Sequence, residues 1–234
     1  EFWNNLRRGH ASLRCFSEDE LRELGISESL INDPNFIPVG VGIDDKDQFD
    51  PAFFGIVPRD AENMDPQSRL LLQNSWKAIE DAGYRPSDLP NTGVFMSARF
   101  NGYQTIESLG ENVDSPRVLN NSEEYLSWVS MQTGTLPTLI SHKLGLHGPS
   151  YAVHSNCSSS AAGLYSAWQA IRSGDVQCAL VGAATLMPGM SVGYRYEQGM
   201  NFSADGRIKA FDSNADGMVG GEGVAVLLVK DAGK

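Results

Sequence analysis

Residues 151–174 read YAVHSNCSSSAAGLYSAWQAIRSG, and this stretch decides the fold. Tyr151 to Val153 lean apolar, Ser155-Asn156-Cys157-Ser158 is a polar turn, and a long run of small and apolar residues follows. The pattern predicts a strand, a sharp turn and a helix, with a cysteine at the turn. Ala161, Leu164, Tyr165, Trp168 and Ile171 recur at helical spacing. No Asp or Glu occurs from Tyr151 to Gly174, in a chain with 29 acids against 18 bases. The helix is therefore expected to be buried on most sides. Ser158 to Gly163 are all small, so other backbone can approach closely just after the turn. A cysteine there sits at the positive end of a helix dipole, which favours thiolate over thiol. Cys157 is the candidate nucleophile. The competing reading for any cysteine is a buried structural thiol, and the turn placement weighs against it.

Outward from this stretch, Cys178 to Leu186 (CALVGAATL) and Val224 to Val229 (VAVLLV) are almost wholly apolar. Both predict strands buried on two sides, as in a central sheet. Thr92 to Ala98 (TGVFMSA) predicts a further short buried strand. Strand, helix and strand in this order imply a right-handed crossover and a layered α/β sheet. Upstream, Asp65 is a good N-cap and Pro66 suits the first helical position. Leu72, Trp76 and Ile79 carry that helix forward, and Gly83 stops it. Phe49 to Ile56 (FDPAFFGI) is an aromatic patch expected to pack against the core. Glu124 to Met131 predicts a helix with Tyr125, Trp128, Val129 and Met131 on its apolar face. Leu136 to Leu146 is a second apolar stretch, closed by Gly145. Phe100 to Asn121 predicts a surface excursion, and residues 1–48 predict loose structure with a helical turn or more at Phe2 to Leu6, one capped helix, Ser17 to Leu24, and a loop from Asn32 to Asp50.

The totals narrow the function classes. The 234 residues carry a net charge of −11, and the acids are scattered. Nucleic acid is disfavoured, because phosphate binding needs a basic face. No apolar run is long enough to span a membrane, and EFWNNLRRGH at the start is no signal peptide. The three cysteines, Cys15, Cys157 and Cys178, have no metal-ligand spacing and point to a reducing cytoplasm. Phe202 to Gly223 (FSADGRIKAFDSNADGMVGGEG) invites a calcium reading through Asp212, Asn214 and Asp216. An EF-hand loop needs Glu at its twelfth position, which is Gly223 here, so a structural loop is favoured and no metal is expected.

Assembled, the blocks FDPAFFGI, MDPQSRLLLQNSWKAIEDAGY, TGVFMSA, HKLGLHGPSYAVHSNCSSSAAGLYSAWQAIRSGDVQCALVGAATLM and FSADGRIKAFDSNADGMVGGEGVAVLLVK resemble the N-terminal half of a β-ketoacyl synthase. More closely, they resemble the ketosynthase domains of bacterial modular polyketide synthases. LINDPNF and HSNCSSS look most like synthases that borrow their acyltransferase from a separate protein. The resemblance implies a thiolase-like layered α/β/α/β/α fold, of which residues 1–234 are mostly the first half. An opening strand would precede residue 1, and a second half with two catalytic histidines would follow residue 234.

The resemblance also implies an activity. An acyl chain carried on the phosphopantetheine arm of an acyl carrier protein would move onto Cys157. A malonyl-type extender would then lose CO2, and its carbanion would attack the acyl thioester. The Cys157 backbone N–H, at the turn, is placed to act as an oxyanion donor. No directly bound cofactor is implied. Trp128 and Met131 fall in a segment that approaches the partner subunit's pocket in the family, and Tyr196 lies near a pocket aromatic. A homodimer and the other domains of a multidomain synthase are the implied partners. The carrier is acidic in this family, yet the sequence shows no basic cluster to receive it.

His154, three residues before Cys157, stands where the family commonly has an acidic residue. Strand alternation points the two to opposite faces, so His154 is not the base. His142 and His147 read as structural, as does Cys178 at the head of its strand. Two related activities remain open: a non-elongating ketosynthase that only transfers the acyl chain, and a fatty-acid-type ketoacyl synthase. A scaffold relative without catalysis is opposed by the presence of Cys157. A cysteine hydrolase is opposed by the extent of the matching blocks.

Overall fold

The computed structural model describes residues 2–99, 129, 132, 134–187 and 191–233. The chain divides into two compact units, Glu1–Ile43 with Gly189–Glu222, and Asp44–Pro188 with Gly223–Lys234. The second unit is built on a four-stranded sheet in the order Ser150–Ala152, Thr92–Ala98, Cys178–Thr185, Gly223–Lys230. The first three strands are parallel and the last is antiparallel. Met96 marks the register, lying opposite Ala152 on one side and Gly182 on the other. The strands that flank the central helix in sequence therefore straddle Thr92–Ala98 rather than pair with each other.

Strand alternation sorts the core into two layers. Val94, Met96, Cys178, Leu180 and Ala184 face one side with Leu71, Leu72 and Ile79 of the helix Pro66–Asp81 and with Leu136, Ile140 and Leu144 of the helix Thr135–Leu144. Phe95, Ala179 and Val181 face the other side, against Ala167 of the helix Ser159–Ser173. Each fully buried aliphatic or aromatic side chain in such layers contributes on the order of 1.5–3 kcal/mol.

The helix Pro66–Asp81 forms as its sequence predicts. The Asp65 carboxylate accepts the Gln67 N–H at 2.9 Å, Pro66 opens the helix, and Gly83 follows it at φ +80°. The aromatic patch packs beside it: Phe53 meets Trp76 edge-on with centroids 4.8 Å apart, and Phe49 stacks on Phe54 at 5.4 Å. The helix Thr135–Leu144 ends at Gly145, which adopts a left-handed φ of +65°.

Two burial expectations are corrected. The helix Ser159–Ser173 buries one face only. Ser159, Gly163 and Ala167 are buried, whereas Leu164, Tyr165 and Trp168 are 41%, 59% and 49% exposed. A single sheet covers a single stripe of a helix, and the apolar composition describes both stripes. The strand Gly223–Lys230 is likewise covered fully on neither side, with only Val229 packed against the second layer. Val224, Val226 and Leu228 pack against the first layer, while Leu227 is exposed. It is the antiparallel edge of an otherwise parallel sheet.

The first unit is more regular than its sequence suggests. Helices span Phe2–Arg8, Glu18–Glu23 and Glu28–Ile31. The capping box is complete: the Glu20 N–H donates to Ser17 Oγ at 3.3 Å, and the Ser17 N–H donates to Glu20 Oε2 at 2.8 Å. Within the predicted loop 32–50, two short strands form. Phe36–Ile37 pairs with Tyr194–Arg195, and Val39–Gly40 pairs with Arg14–Cys15. Their partners lie far away in sequence or outside the stretch, which local pattern cannot reveal. Gly193 permits the first pairing, since at φ +150° its Cβ would stand 2.4 Å from the Ile37 carbonyl oxygen.

In the loop Phe202 to Gly223, the alternating acids tie the chain to itself. Asp212 Oδ1 accepts the Asn214 N–H at 2.8 Å. Asp216 pairs with Lys209 at 3.1 Å and accepts the Ala204 N–H and the Ser203 hydroxyl. Asp205 holds the other side of Lys209 at 2.9 Å. The Lys209 ammonium accordingly pulls both carboxyls below the usual range. The predicted helix Glu124 to Met131 and the excursion Phe100 to Asn121 lie outside the described residues, apart from Val129. Among the described residues, no helix is long and apolar enough to cross a membrane.

Candidate active site

Cys157 lies beyond the carboxyl end of the strand Ser150–Ala152, in a 3-10 turn, Asn156–Ser158, that runs directly into the helix Ser159–Ser173. The lead-in is fixed to the sheet: the Val153 N–H donates to Met96 O at 2.8 Å. Asn156 turns the chain with φ +53°, a left-handed conformation that Asn tolerates better than most residues. The thiol is free and exposed.

Serine hydroxyls wire this turn. The Ser155 N–H donates to Ser159 Oγ at 2.9 Å, and that hydroxyl donates to Asn156 O at 2.7 Å. Ser158 Oγ donates to Ser155 O at 2.8 Å. The Ser158 N–H donates to Ser155 O and the Ser159 N–H to Asn156 O. The Cys157 N–H has no acceptor among the described residues. The spacing of these serines around the cysteine, at 155, 158 and 159, is the sequence signal of side chain-to-backbone turn bonds, beyond the small size and polarity of the turn.

Gly163 sits one helical turn further on. Its Cβ would lie 3.4 Å from Val181 Cγ1 and 3.9 Å from Phe95 O, so the helix rests closely on the sheet there. This contact sets the height of the helix N-terminus over the strand ends, and with it the height of the thiol. On the opposite side of the helix, an open apolar hollow of about 1130 Å³ is lined by Leu164, Tyr165, Trp168, Ile171 and Val229.

The other sequence candidates are dispersed. Trp128 and Met131 lie outside the described residues. Tyr196 belongs to the first unit, where it is half-buried and its N–H donates to Asn35 O at 2.8 Å. His154 is exposed, as are His142 and His147. Cys178 is buried, and its thiol meets the Thr92 hydroxyl at 3.0 Å, which suits a core position. Among the described residues, no cluster of His, Cys, Asp or Glu could hold a metal.

The sequence patterns missed Gln67. It is 3% exposed and stands at the same sheet end as the turn, with its side-chain amide bonded to Asp65, Arg99 and Leu186. Burial pushes the Asp65 carboxyl up, against the pull of the Gln67 N–H donors.

The family model described as β-ketoacyl synthase, N-terminal domain, matches residues 1–234. The polyketide synthase PksN of Bacillus subtilis is 56% identical over 234 residues, covering 99% of this chain and 4% of that protein. The crystal structure of ketosynthase twelve from the bacillaene polyketide synthase of Bacillus amyloliquefaciens superposes with a TM-score of 0.90 at 54% identity, covering 99% of this chain and 40% of that one. The ketosynthase from module 1 of the bacillaene synthase of the same species gives 0.83 at 50% identity, covering 100% and 39%. The chain thus spans less than half of the solved ketosynthases and a small part of the curated synthase. The α/β architecture is that of thiolase-like ketosynthases, and the chain belongs to the β-ketoacyl synthase family.

Proposed function

We propose that this chain supplies the acyl-accepting part of a polyketide ketosynthase, with Cys157 as the nucleophile. The observation that carries the reading is the exposed thiol on a hydroxyl-wired turn at a helix N-terminus. The Cys157 sulfur attacks the carbonyl of an acyl group held as a thioester on a carrier protein's phosphopantetheine arm. The tetrahedral oxyanion is met by the Cys157 N–H, and the pantetheine thiol leaves. A malonyl-type extender then loses CO2, and its carbanion attacks the acyl-cysteine carbonyl, releasing the Cys157 sulfur. The family resemblance gives this second step to two histidines, and none of His10, His142, His147 and His154 is assigned to it.

The exposed apolar side of the helix Ser159–Ser173 supports a second half of the fold covering Leu164, Tyr165 and Trp168. The strand Ser150–Ala152 is an edge of the sheet among the described residues, with Tyr151 57% exposed. An unpaired edge of this kind suits pairing with a second copy, and we assign it to a homodimer. Acyl carrier protein and further synthase domains are the remaining partners, in the cytoplasm.

The test is to incubate a ketosynthase containing this chain with an acyl carrier thioester and to locate the acyl group by peptide mass spectrometry. The mass shift is expected on Cys157 and is expected to vanish in Cys157→Ala. Acylation elsewhere, or labelling that survives the substitution, overturns the assignment.

A further inference from the structure

We infer that Gln67 is a positioning residue for thioester attack at Cys157, an inference that rests on the acyl-accepting reading above. Thr92–Ala98 and Cys178–Thr185 are neighbouring parallel strands, paired through Ala98 opposite Ala184. Their chains leave the sheet at Arg99 and Leu186. The Gln67 amide reaches both exits. Its oxygen accepts the Arg99 N–H at 3.1 Å and the Leu186 N–H at 3.4 Å. Its nitrogen donates to Arg99 O at 3.1 Å and to Asp65 Oδ2 at 2.9 Å.

The Asp65 bond fixes which way the amide faces. A carboxylate only accepts, so it takes the NH2 end and leaves the oxygen for the two strand exits. Asp65 is itself held as the helix cap by the Gln67 N–H. Gln67 and Asp65 are both buried, so each of these bonds is costly to leave unmade.

The thiol turn uses the same sheet end. Val153 bonds to Met96 of the strand that Gln67 holds at Arg99, and Cys157 follows four residues later. In α/β sheets the reacting groups gather outside the carboxyl ends of the strands, where chain exits shape the site. Gln67 therefore sets where two strand exits stand at the sheet end that carries the thiol turn, and it has no hydrogen bond to Cys157. An error of about 1 Å in such placement costs on the order of 100-fold in rate.

Two reactions of the same sulfur separate this role from fold maintenance. Alkylation by iodoacetamide needs only an exposed thiol, whereas acylation by a pantetheine thioester needs the substrate placed by the site. Both are measured on the complete ketosynthase by mass spectrometry, in wild type, Gln67→Glu and the double variant Asp65→Asn/Gln67→Glu. The single substitution sets two carboxylates against each other and removes the donor to Arg99 O. In the double variant, an asparagine amide at position 65 donates to the carboxylate at position 67, which still accepts both strand N–H groups.

The expected result is acylation slowed about 10-fold or more in the single variant, alkylation within about twofold of wild type, and acylation restored to within about threefold in the double variant. Equal slowing of both reactions, no slowing, or slowing without rescue overturns the positioning role. If the single variant does not fold, the acylation-to-alkylation ratio of the double variant decides, and a ratio more than about 10-fold below wild type overturns it. A wild type that alkylates at Cys157 but is never acylated there overturns the acyl-accepting reading instead, and this inference with it.

Discussion

The helices Pro66–Asp81 and Ser159–Ser173 cover opposite faces of one sheet, yet they are buried differently. The first carries charges at Arg69, Lys77, Glu80 and Asp81 and hides Leu71, Leu72 and Ile79 completely. The second has Arg172 as its single charge and leaves Leu164, Tyr165 and Trp168 in the open. An amphipathic helix states its one buried side in its sequence. A helix that is apolar all round states that two sides need cover, and within this unit one of them is covered. The small residues Gly163 and Ala167 mark the side that touches the sheet; the large aromatics mark the side that does not.

The largest expected effect comes from emptying the two faces in turn. Ile79→Ala leaves a cavity in a fully buried layer and should cost about 2–5 kcal/mol in urea denaturation. In residues 1–234 alone, Trp168→Ala should cost less, about 1 kcal/mol, because 49% of the residue is exposed there. Equal losses would show that the aromatic face is covered in solution, which would erase the contrast.

A smaller effect is expected from adding one methyl group to each side. At Gly182 a Cβ would stand 2.6 Å from Met96 Sδ and 3.0 Å from Val226 Cγ2. Gly182→Ala should therefore destabilise by about 1–3 kcal/mol through overpacking. At Gly163 the nearest atom is 3.4 Å away, so Gly163→Ala should be neutral or gain up to about 1 kcal/mol of helix propensity. Melting curves of the two variants would sharpen the comparison, and a reversed order would break it.

The smallest effect belongs to the capping box of the helix Glu18–Glu23, which buries Leu21 and leaves its capping groups exposed. The bonds from Ser17 and Arg14 draw the Glu20 carboxyl down from 4.5 to about 2. A depressed carboxyl stabilises the fold above its unfolded value, and that contribution fades as pH falls towards the folded value. An NMR titration should find Glu20 titrating near pH 2, and Ser17→Ala should move it upward. A Glu20 midpoint near 4.5 in the unaltered chain would mean that the capping box does not persist in solution.

Much of this was legible from local pattern, because helix caps, stop glycines and buried strands are short-range events. Asp65, Pro66 and Gly83 bounded one helix, Gly145 closed another, and Thr92 to Ala98 formed the strand its sequence predicts. The turn at Cys157 was legible for the same reason, since strand, polar turn and small-residue helix follow one another without a break. The short strands within residues 32–50 were not, because their pairing needs Tyr194–Arg195 and Arg14–Cys15.

The sequence by itself determined the central strands and helices of the second unit, the family and the candidate nucleophile. Tertiary structure alone decided which side of the apolar helix is covered, that Ser155, Ser158 and Ser159 wire the thiol turn, and that Gln67 joins two strand exits 32 and 119 residues away. The physical reason is the same in each case. Periodicity records how apolar a face is, but burial and hydrogen bonding depend on what the chain brings opposite that face from far along its length.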